Sequence, residues 1–528
     1  MTVGLDCRVG TGQFVPSPGD ERRREHPAPA PTRPAPSIRL RTGVLVVLGA
    51  QLVVMAVVSL VEYHRYALGT GFGTYSQAWV AIAHGHLDPT SSLIGKPFWR
   101  NDAELVLWPL ALLYWVFPHP VTLLWVQDIS LVATEYVALA WMADIVGPVF
   151  GTDSRRGRTL AWGCAVVTVA NPFLYYSAAY DFHSEVFAAL FVLMAARALW
   201  NGKHRQLWIV APVALATSGL TALYLAGVGV AGIVAGRRSR RAGAVVAGLS
   251  IAWMVTVMLV GGAEFGYAHS LAGWYGYLVG PHHGPVTAFD VLGGALSHPI
   301  TAVHMLATRW VAVLDLLLAA GLVGVVWPWA WPVVLVVIVP SALNANPAFV
   351  SPQAAFQNFA ALPLVAVGSV AVVVRMLERH AGAPGLAAVA TVWGVGLIVL
   401  GATLFPRLPG DWVSVRPAAS AALARVDATA PSGAEVIVSW GVAGRFATRG
   451  DVRGYGPVSV IPVDRRVVVF VIAPGQGIYG ATPAAARRAI SEVRSKLGAT
   501  PLVQGGGVEA FVWRPPAGVS SVTLPVLS

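Results

Sequence analysis

Long apolar runs recur along most of this chain and constrain its fold more than any other feature. A helix needs about 20 consecutive apolar residues to cross the hydrocarbon core of a bilayer. Of the 528 residues, 56% are hydrophobic and 12% are charged, whereas about a quarter of the residues of a soluble protein are charged. The sequence therefore predicts an all-α polytopic membrane protein. The candidate spans are 43–61, 119–146, 159–177, 184–200, 242–262, 309–325, 328–344, 360–376 and 385–405.

Two further apolar stretches need separate treatment. The stretch 206–236 is apolar throughout, and we interpret it as two short helices that meet near residues 217–219. With it the chain has about eleven spans. The stretch 104–117 is shorter than a span, and its aromatic side chains suit the membrane surface. It is predicted to be an interfacial helix within the first outer loop, 62–118.

The positions of the basic residues predict which side of the membrane each loop faces. Cytoplasmic loops carry an excess of Lys and Arg. With a cytoplasmic N-terminus and about eleven spans, each of the clusters named below falls on the cytoplasmic side of the cell membrane. The net charge of +11 does not indicate a nucleic-acid partner, because these arginines lie in short clusters beside apolar runs, as topology determinants do. The clusters are Arg22–Arg24, Arg39 and Arg41, Arg155, Arg156 and Arg158, Lys203 and Arg205, Arg237, Arg238, Arg240 and Arg241, and Arg375 and Arg379.

The two ends of the chain differ from its apolar middle. Residues 1–42 are polar and rich in proline and predict a disordered cytoplasmic tail. Residues 43–410 then form the transmembrane domain. By parity, residues 415–528 lie outside the cell, where their segments predict a small extracytoplasmic α/β domain. These segments are three strands, 434–439, 465–472 and 508–514, one amphipathic helix, 483–498, and two glycine-rich turns, 475–480 and 504–507.

A charged cluster lies at the predicted outer end of one span. Charged residues at the edge of a span are costly and suggest a function. Asp181 is expected to cap the helix that follows it, and Glu185 suits the first turn of that helix. His183 adds nothing to a cap. The segment DFHSE (181–185) is therefore a candidate for substrate binding, for a general base or for a pair of metal ligands.

The other candidates lie on the predicted outer loops. Asp102 and Glu104 either start the interfacial helix or face a lipid phosphate through a metal ion or Arg100. Adjacent histidines in the turn at 281–284 have poor geometry for a metal, and no zinc or phosphate-loop motif occurs. The remaining candidates for substrate binding are Glu62, Tyr267, His269, Trp274, Tyr275, Gln357 and Asn358. A transporter would instead use charges inside the spans, namely Asp128, Glu135, Asp144 and Asp315.

Five stretches resemble a bacterial family of predicted multi-pass membrane proteins that is grouped with the GT-C type of lipid-phosphosugar-dependent glycosyltransferases. DFHSE is the most specific part of this resemblance, which covers roughly residues 43–515. The stretches are GFGTYSQAWVAIAHG (71–85), LALLYWVFPHPVTLLWVQD (110–128), NPFLYYSAAYDFHSEVFAAL (171–190), YGYLVG with a later SHP (275–299) and FQNFAALPLVAVG (356–368).

The resemblance implies a GT-C-like fold and a reaction at the outer leaflet. A sugar would pass from a polyprenyl-phosphate donor in the membrane lipid to an acceptor on the outer face. It also implies that an Asp or Glu of the first outer loop acts as a base or binds a metal ion; the cofactor itself is unknown, with a divalent cation as the candidate. The acceptor hydroxyl must lose a proton, and the leaving lipid phosphate needs a cation nearby.

Several polar positions of the family pattern are replaced in this chain. Gly71 and Ser76 stand where acidic residues would follow the first span, residues 218–220 replace a Lys-Glu-Asp-like patch, and Asn358 replaces a histidine. One hypothesis is that catalysis rests on Asp102, Glu104, Asp181, His183 and Glu185, which would then converge. The alternatives are a catalytically degenerate membrane scaffold with a binding role, and a transporter, although no inverted repeat supports the latter.

Overall fold

The structure is a computed structural model. It describes residues 38–527, with gaps at 101–102, 152–153, 237, 262–266, 281–285, 353–354, 380–383 and 478–479. Nearly all of the predicted N-terminal tail lies outside the described residues, so its disorder stays a prediction.

Helices and a few short strands form the first half of the chain. Pro172 at the first position of α6, with the Asn171 side chain accepting from Phe173 N, breaks the predicted span 159–177 in two. The elements are α1 (Ile38–His64), α2 (Thr70–Ala83), β1 (Thr90–Ser91), β2 (Lys96–Pro97), α3 (Leu107–Ala111), α4 (Val121–Phe150), α5 (Arg155–Val169), α6 (Pro172–Ala178), α7 (Glu185–Trp200), α8 (His204–Leu215), α9 (Thr221–Ala235) and α10 (Arg240–Gly261).

Shorter helices follow α10. The predicted outer loop 263–308 contains three of them, which the sequence did not predict. The elements are α11 (Tyr267–Val279), α12 (Ala288–Ser297), α13 (Pro299–Thr308), α14 (Trp310–Ala319), α15 (Trp331–Leu343), α16 (Ala355–Asn358), α17 (Leu362–Arg379), α18 (Pro384–Leu404) and α19 (Leu408–Trp412).

The number of spans found by length and composition is smaller than the number predicted. Within the described residues, three helices are long and apolar enough to cross a membrane: Thr42–His64, Val121–Phe150 and Arg240–Val260. Counting α13 and α14 as one bent span, with an angle of 61° between them, raises this number to four. Several other apolar helices, such as Trp331–Leu343, have 10–17 residues. The predicted count of about eleven spans is therefore not confirmed.

The long helix α4 is the centre of the helical bundle. It packs against α1, α5, α7 and α17. Trp141 of α4 is fully buried and contacts Trp327 edge to face, with 5.5 Å between ring centroids. Arg197 of α7 donates to Asp144 of α4 at 2.8 Å, so this carboxylate joins two helices. As predicted, the stretch 206–236 is two helices that meet at residues 217–219.

The C-terminal part of the chain is a small α/β domain. Its sheet has the order β4-β3-β6-β8-β7, in which β3 is parallel to β4 and β6, and β8 is antiparallel to β6 and β7. β5 and β9 form a separate antiparallel pair. The elements are α20 (Pro417–Thr429), β3 (Glu435–Ser439), β4 (Val452–Tyr455), β5 (Val460–Pro462), β6 (Val468–Ile472), α21 (Pro483–Ser495), β7 (Thr500–Gly505), β8 (Val508–Trp513) and β9 (Ser521–Thr523).

Alternating residues of the central strands explain the layers of this domain. Val436 and Val438 of β3 pack with α20 on one face of the sheet. Ile437 packs with Val493 of α21 on the other face. The three predicted strands and the predicted helix are present, and β4 and β7 are additional. The turn between β7 and β8 requires its glycines, because Gly505, Gly506 and Gly507 all have positive φ angles.

The first outer loop and the α/β domain pack against each other. Gly444 N donates to Leu68 O at 2.9 Å, and Ser92 Oγ donates to Gly450 O at 2.8 Å. Tyr66 belongs to the same apolar core as β3, and its hydroxyl donates to Asp427 of α20 at 3.0 Å. The loop and the domain therefore lie on the same side of the bundle, which the predicted topology requires.

Candidate functional site

Helix α2 is anchored by a carboxylate that is distant in sequence. The first N–H groups of a helix have no partner within the helix. Asp181 Oδ1 accepts a hydrogen bond from Gly69 N at 2.7 Å, and the backbone N–H groups of Gly71 and Phe72 also interact favourably with its carboxylate. Asp181 therefore caps α2. The prediction that it caps the following helix is wrong, because α7 begins only at Glu185.

The surroundings of Asp181 act on its pKa in opposite directions. Burial raises the pKa of this carboxyl above its ordinary value, while the backbone hydrogen bonds and His183 lower it, and burial has the larger effect. Asp181 is buried, and its oxygens are engaged by α2. This geometry fits a residue that positions α2 better than one that contacts a substrate.

The cap also explains one departure from the family pattern. A Cβ atom at Gly71 would lie 2.9 Å from Asp181 Oδ2, which is closer than real Cβ contacts. An acidic side chain at this position would collide with Asp181 and place two carboxylates together. The carboxylate at position 181 and the glycine at position 71 are therefore mutually dependent.

Tyr75 of α2 connects the first outer loop to DFHSE. Its hydroxyl donates to Glu104 Oε1, and Glu104 is fully buried. The ring of Tyr75 contacts Phe182 and His183 edge to face, at centroid distances of 5.0 and 6.1 Å. The next part of the loop is held by Val106 N, which donates to Ala216 O at 2.7 Å. The structure thus brings Glu104 to the segment 181–185.

His183 has a fixed orientation between aromatic rings and a carboxylate. Its ring stacks on Phe356 at 4.2 Å and 15°, and Tyr180 lies 5.0 Å away. Its Nδ1 is 3.6 Å from Glu185 Oε2. The His183 side chain is 19% exposed, so part of the imidazole remains accessible. A histidine oriented by a carboxylate is a common arrangement for a general base.

The sequence analysis missed three residues that build this site. Gln127 Oε1 accepts the backbone N–H of His183 at 2.9 Å, Phe356 provides the stacking ring, and Tyr75 provides the link to Glu104. All three lie in stretches that carried the family resemblance. These stretches are GFGTYSQ, WVQD and FQNF. The three residues were not predicted because their side chains are neutral, whereas the candidates were chosen mainly for their charge.

Two other predicted residues lie near this site. Asn358 is fully buried, and its Nδ2 donates to Phe349 O at 2.7 Å. Gln357 contributes a backbone carbonyl that accepts the Tyr224 hydroxyl at 3.1 Å. Asn358 and Gln357 share α16 with Phe356, so the same short helix carries the ring that stacks on His183.

Glu62 lies near the end of α1. It is buried beside Asp128 and Asp181. One turn earlier, Ser59 Oγ donates to Asp128 Oδ2 at 2.9 Å. Glu62 therefore faces the carboxylate that caps α2.

The predicted aromatic residues of α11 have packing partners of their own. Tyr275 donates its hydroxyl to Pro340 O at 3.0 Å, and Trp274 contacts Phe349 edge to face at 4.9 Å. These contacts fasten α11 to α15 and to the segment after it. No described contact joins Trp274 or Tyr275 to DFHSE.

Some predicted residues cannot be placed. Asp102 lies outside the described residues. Arg100 ends a 3-10 turn, and Tyr267 and His269 lie on α11, but their side chains are outside the described part. Within the described residues, no three His, Cys, Asp or Glu side chains form a group that could hold a metal ion. The divalent cation therefore stays a prediction, and the chemistry below uses none.

Comparisons with known proteins agree with this architecture. A family model described as a predicted membrane protein (DUF2079) matches residues 69–417, more than half of the chain. No curated protein matches this chain. ArnT from Cupriavidus metallidurans, solved bound to undecaprenyl phosphate, is similar in structure: the identity is 15%, the match covers 89% of this chain and 98% of that one, and the TM-score is 0.50. This similarity shows a shared fold.

Two further solved structures are more distant. ArnT from the same organism in the apo state has 14% identity over 89% of this chain and 98% of that one, with a TM-score of 0.48. The Archaeoglobus fulgidus oligosaccharyltransferase, in complex with Zn and sulfate, has 12% identity over 80% of this chain and 68% of that one, with a TM-score of 0.40. These proteins are GT-C glycosyltransferases, the class that the sequence resembles.

Proposed function

We propose a sugar-transfer reaction for this chain, which belongs to the DUF2079 family of predicted membrane proteins. In this proposal it is a GT-C-type glycosyltransferase that moves a sugar from a polyprenyl-phosphate donor to an acceptor. The shared fold with ArnT, over 89% of this chain, supports the enzyme class. Because that ArnT structure was solved with undecaprenyl phosphate bound, it also supports a lipid-linked donor here.

The observation that carries the proposal is the link that Tyr75 makes between Glu104 and His183. The hydroxyl of Tyr75 holds the buried carboxylate, and its ring contacts the imidazole. Glu104 is 79 positions before His183 in the chain, yet both contact one side chain. A purely structural helix start would not require this convergence with an accessible imidazole.

The geometry suggests how the proton of the acceptor is handled. In the tautomer that carries its proton on Nδ1, which lies 3.6 Å from Glu185 Oε2, His183 keeps the lone pair of Nε2 for the acceptor hydroxyl. As the acceptor oxygen bonds to the anomeric carbon, its proton moves to Nε2. The bond from the anomeric carbon to the phosphate oxygen breaks, and its electron pair leaves with the polyprenyl phosphate. Glu185 stabilises the imidazolium that forms.

Sidedness is part of the proposal. The basic clusters favour a cytoplasmic N-terminus, and DFHSE, the first outer loop and the α/β domain then all lie outside. The contacts between the α/β domain and the first loop support a common side for them. The acceptor would therefore be met at the outer face of the membrane.

A catalytically degenerate binding protein is the second candidate. It is favoured by the engagement of Asp181 in capping α2 and by the replacement of acidic positions with Gly71 and Ser76. Such a protein would keep the residues around His183 and bind a lipid-linked sugar without transferring it.

Reconstituted protein distinguishes these candidates. Full-length protein in liposomes is incubated with polyprenyl-phosphate hexoses and a mixture of cell-envelope acceptors, and the release of free polyprenyl phosphate is followed by mass spectrometry. Release that depends on both the acceptor and His183 supports the transferase. Binding of the donor without release supports the degenerate protein.

A further inference from the structure

Four buried polar atoms lie around residues 183–185 without a hydrogen-bond partner among the residues that the structure describes. They belong to α4, α7, the residue before α7 and α16. Native proteins leave few such atoms unsatisfied, so four in one region point to a polar ligand. The atoms are Gln127 Nε2, Ser184 Oγ, Glu185 Oε2 and Asn358 Oδ1.

The orientation of Gln127 follows from its known partner. Its Oε1 accepts the backbone N–H of His183 at 2.9 Å, so the free end of the amide is the NH₂ group. Gln127 is 0% exposed. The Gln127 NH₂ group is thus a fixed hydrogen-bond donor close to the backbone of His183, and its Nε2 has no acceptor among the described residues.

Asn358 supplies a hydrogen-bond acceptor, and its orientation also follows from its known partner. Its Nδ2 donates to Phe349 O at 2.7 Å, which leaves Oδ1 as a free acceptor. Asn358 is also 0% exposed. It lies on α16, which contacts α7, two positions after the ring that stacks on His183.

Ser184 and Glu185 complete the set. Ser184 is the N-cap residue of α7, but its side chain makes no capping hydrogen bond. Glu185 Oε2 lies 3.6 Å from His183 Nδ1, which is longer than a hydrogen bond. Both oxygens can therefore still bind a ligand.

The chemistry of these four polar atoms indicates which class of ligand they could bind. They offer one amide donor, one amide acceptor, one hydroxyl and one carboxylate oxygen, and no described Lys or Arg pairs with Glu185 or bonds to these atoms. Phosphates are usually bound by guanidinium or ammonium groups. Hydroxyl groups both donate and accept. We propose that Gln127, Ser184, Glu185 and Asn358 form a subsite for the hydroxyl groups of a neutral sugar ring.

This proposal rests on the proposed function, because it assigns the sugar-binding part of the same site. Binding experiments separate the two. Full-length protein in nanodiscs is titrated with polyprenyl phosphate that carries glucose, mannose or galactose, and with the same polyprenyl phosphate without a sugar. We expect at least one hexose-bearing lipid to bind about tenfold more tightly than the sugar-free lipid.

The informative variant is Gln127→Leu, which removes the amide donor. It should lose most of the tenfold preference while its affinity for the sugar-free lipid is unchanged. Asn358→Leu is a second variant with the same expectation. Gln51→Leu is the matched control, because it changes another buried glutamine, on α1, outside the four-atom set, and it should keep the preference.

Two results would overturn the proposal: equal binding of all four lipids by the wild type, or an unchanged preference in both Gln127→Leu and Asn358→Leu. A protein with the expected preference that transfers no sugar would contradict the proposed reaction and leave the subsite standing.

Discussion

The carboxylate of Asp181 accepts a hydrogen bond from the backbone N–H of Gly69 at 2.7 Å, across 112 positions of the chain. This contact joins the segment before α7 to the start of α2. Since α2 carries Tyr75, the contact also determines where Tyr75 meets Glu104 and His183. The stability of α2 and the geometry of the candidate site are therefore coupled.

Replacing Asp181 with a neutral hydrogen-bond acceptor should destabilise the protein less than removing the side chain. Because burial raises the pKa of Asp181, folding favours the protonated carboxyl over the charged one. Asp181→Asn keeps a neutral acceptor and should cost little, whereas Asp181→Ala leaves the Gly69 N–H at the start of α2 without its acceptor and should cost about 1–3 kcal/mol. Thermal unfolding in detergent measures both.

The sign of the pH effect is an internal check on this prediction. With a raised folded pKa, the favourable contribution is full below the ordinary pKa of Asp and is lost as the pH rises through the folded value. The wild type should therefore gain stability relative to Asp181→Asn on acidification. If the wild type instead lost stability relative to Asp181→Asn on acidification, the ionised carboxylate would be the favoured form of the cap.

Gly71→Ala tests the close approach to Asp181. The added Cβ would lie 2.9 Å from Oδ2, so either the carboxylate or the first turn of α2 must move. We expect a loss of about 1–3 kcal/mol in unfolding free energy. Gly49→Ala in α1 is the matched control, because nothing lies within 4 Å of its Cβ position. Equal stability of the two variants would exclude the close approach.

Tyr75→Phe separates the hydroxyl from the ring. The variant keeps the contacts with Phe182 and His183 and removes the hydrogen bond to Glu104. A hydrogen bond contributes about 0.5–1.5 kcal/mol, so both stability and transfer rate should fall. Tyr114→Phe is the control, since Tyr114 is described through ring contacts with Trp79 and His84. If Tyr75→Phe behaved like the control, Tyr75 would not connect the loop to the site.

Reporter fusions test the sidedness of the site. A fusion at residue 240 should be active only with a cytoplasmic reporter, and a fusion at residue 450 only with an extracytoplasmic one. The physical reason is the clustering of arginine beside one set of span ends. The reverse pattern would place DFHSE at the inner leaflet and end the proposed outer-face reaction.

The sequence was sufficient for much of the architecture. Long apolar runs predicted α1, α4, α7 and α10, and short runs rich in Val, Ile and Phe predicted β3, β6 and β8, because each of these signals arises from burial in one element. The break at residues 217–219 was also predicted. The helices α2 and α11–α13 were missed, since short helices in a membrane protein differ little in composition from apolar loops.

The candidate site was predictable only in part. The charges of DFHSE and Glu104 drew attention because buried charge is costly. The cap that Asp181 makes on α2 could not be predicted, because it joins residues 112 positions apart through backbone N–H groups that have no sequence signature. Gln127 and Phe356 were missed for a related reason: a neutral side chain becomes informative only when its partner is known.

The most direct test of the central claim is made in cells. Mass spectrometry of cell-envelope glycans and of polyprenyl-phosphate sugars is compared between a deletion strain and the same strain carrying either the wild-type chain or Glu185→Gln. We predict that the deletion strain accumulates one lipid-linked sugar and lacks one glycan modification, that the wild type restores both, and that Glu185→Gln restores neither despite normal amounts of protein in the membrane. Unchanged glycans and lipid-linked sugars in the deletion strain, or full restoration by Glu185→Gln, would contradict the account.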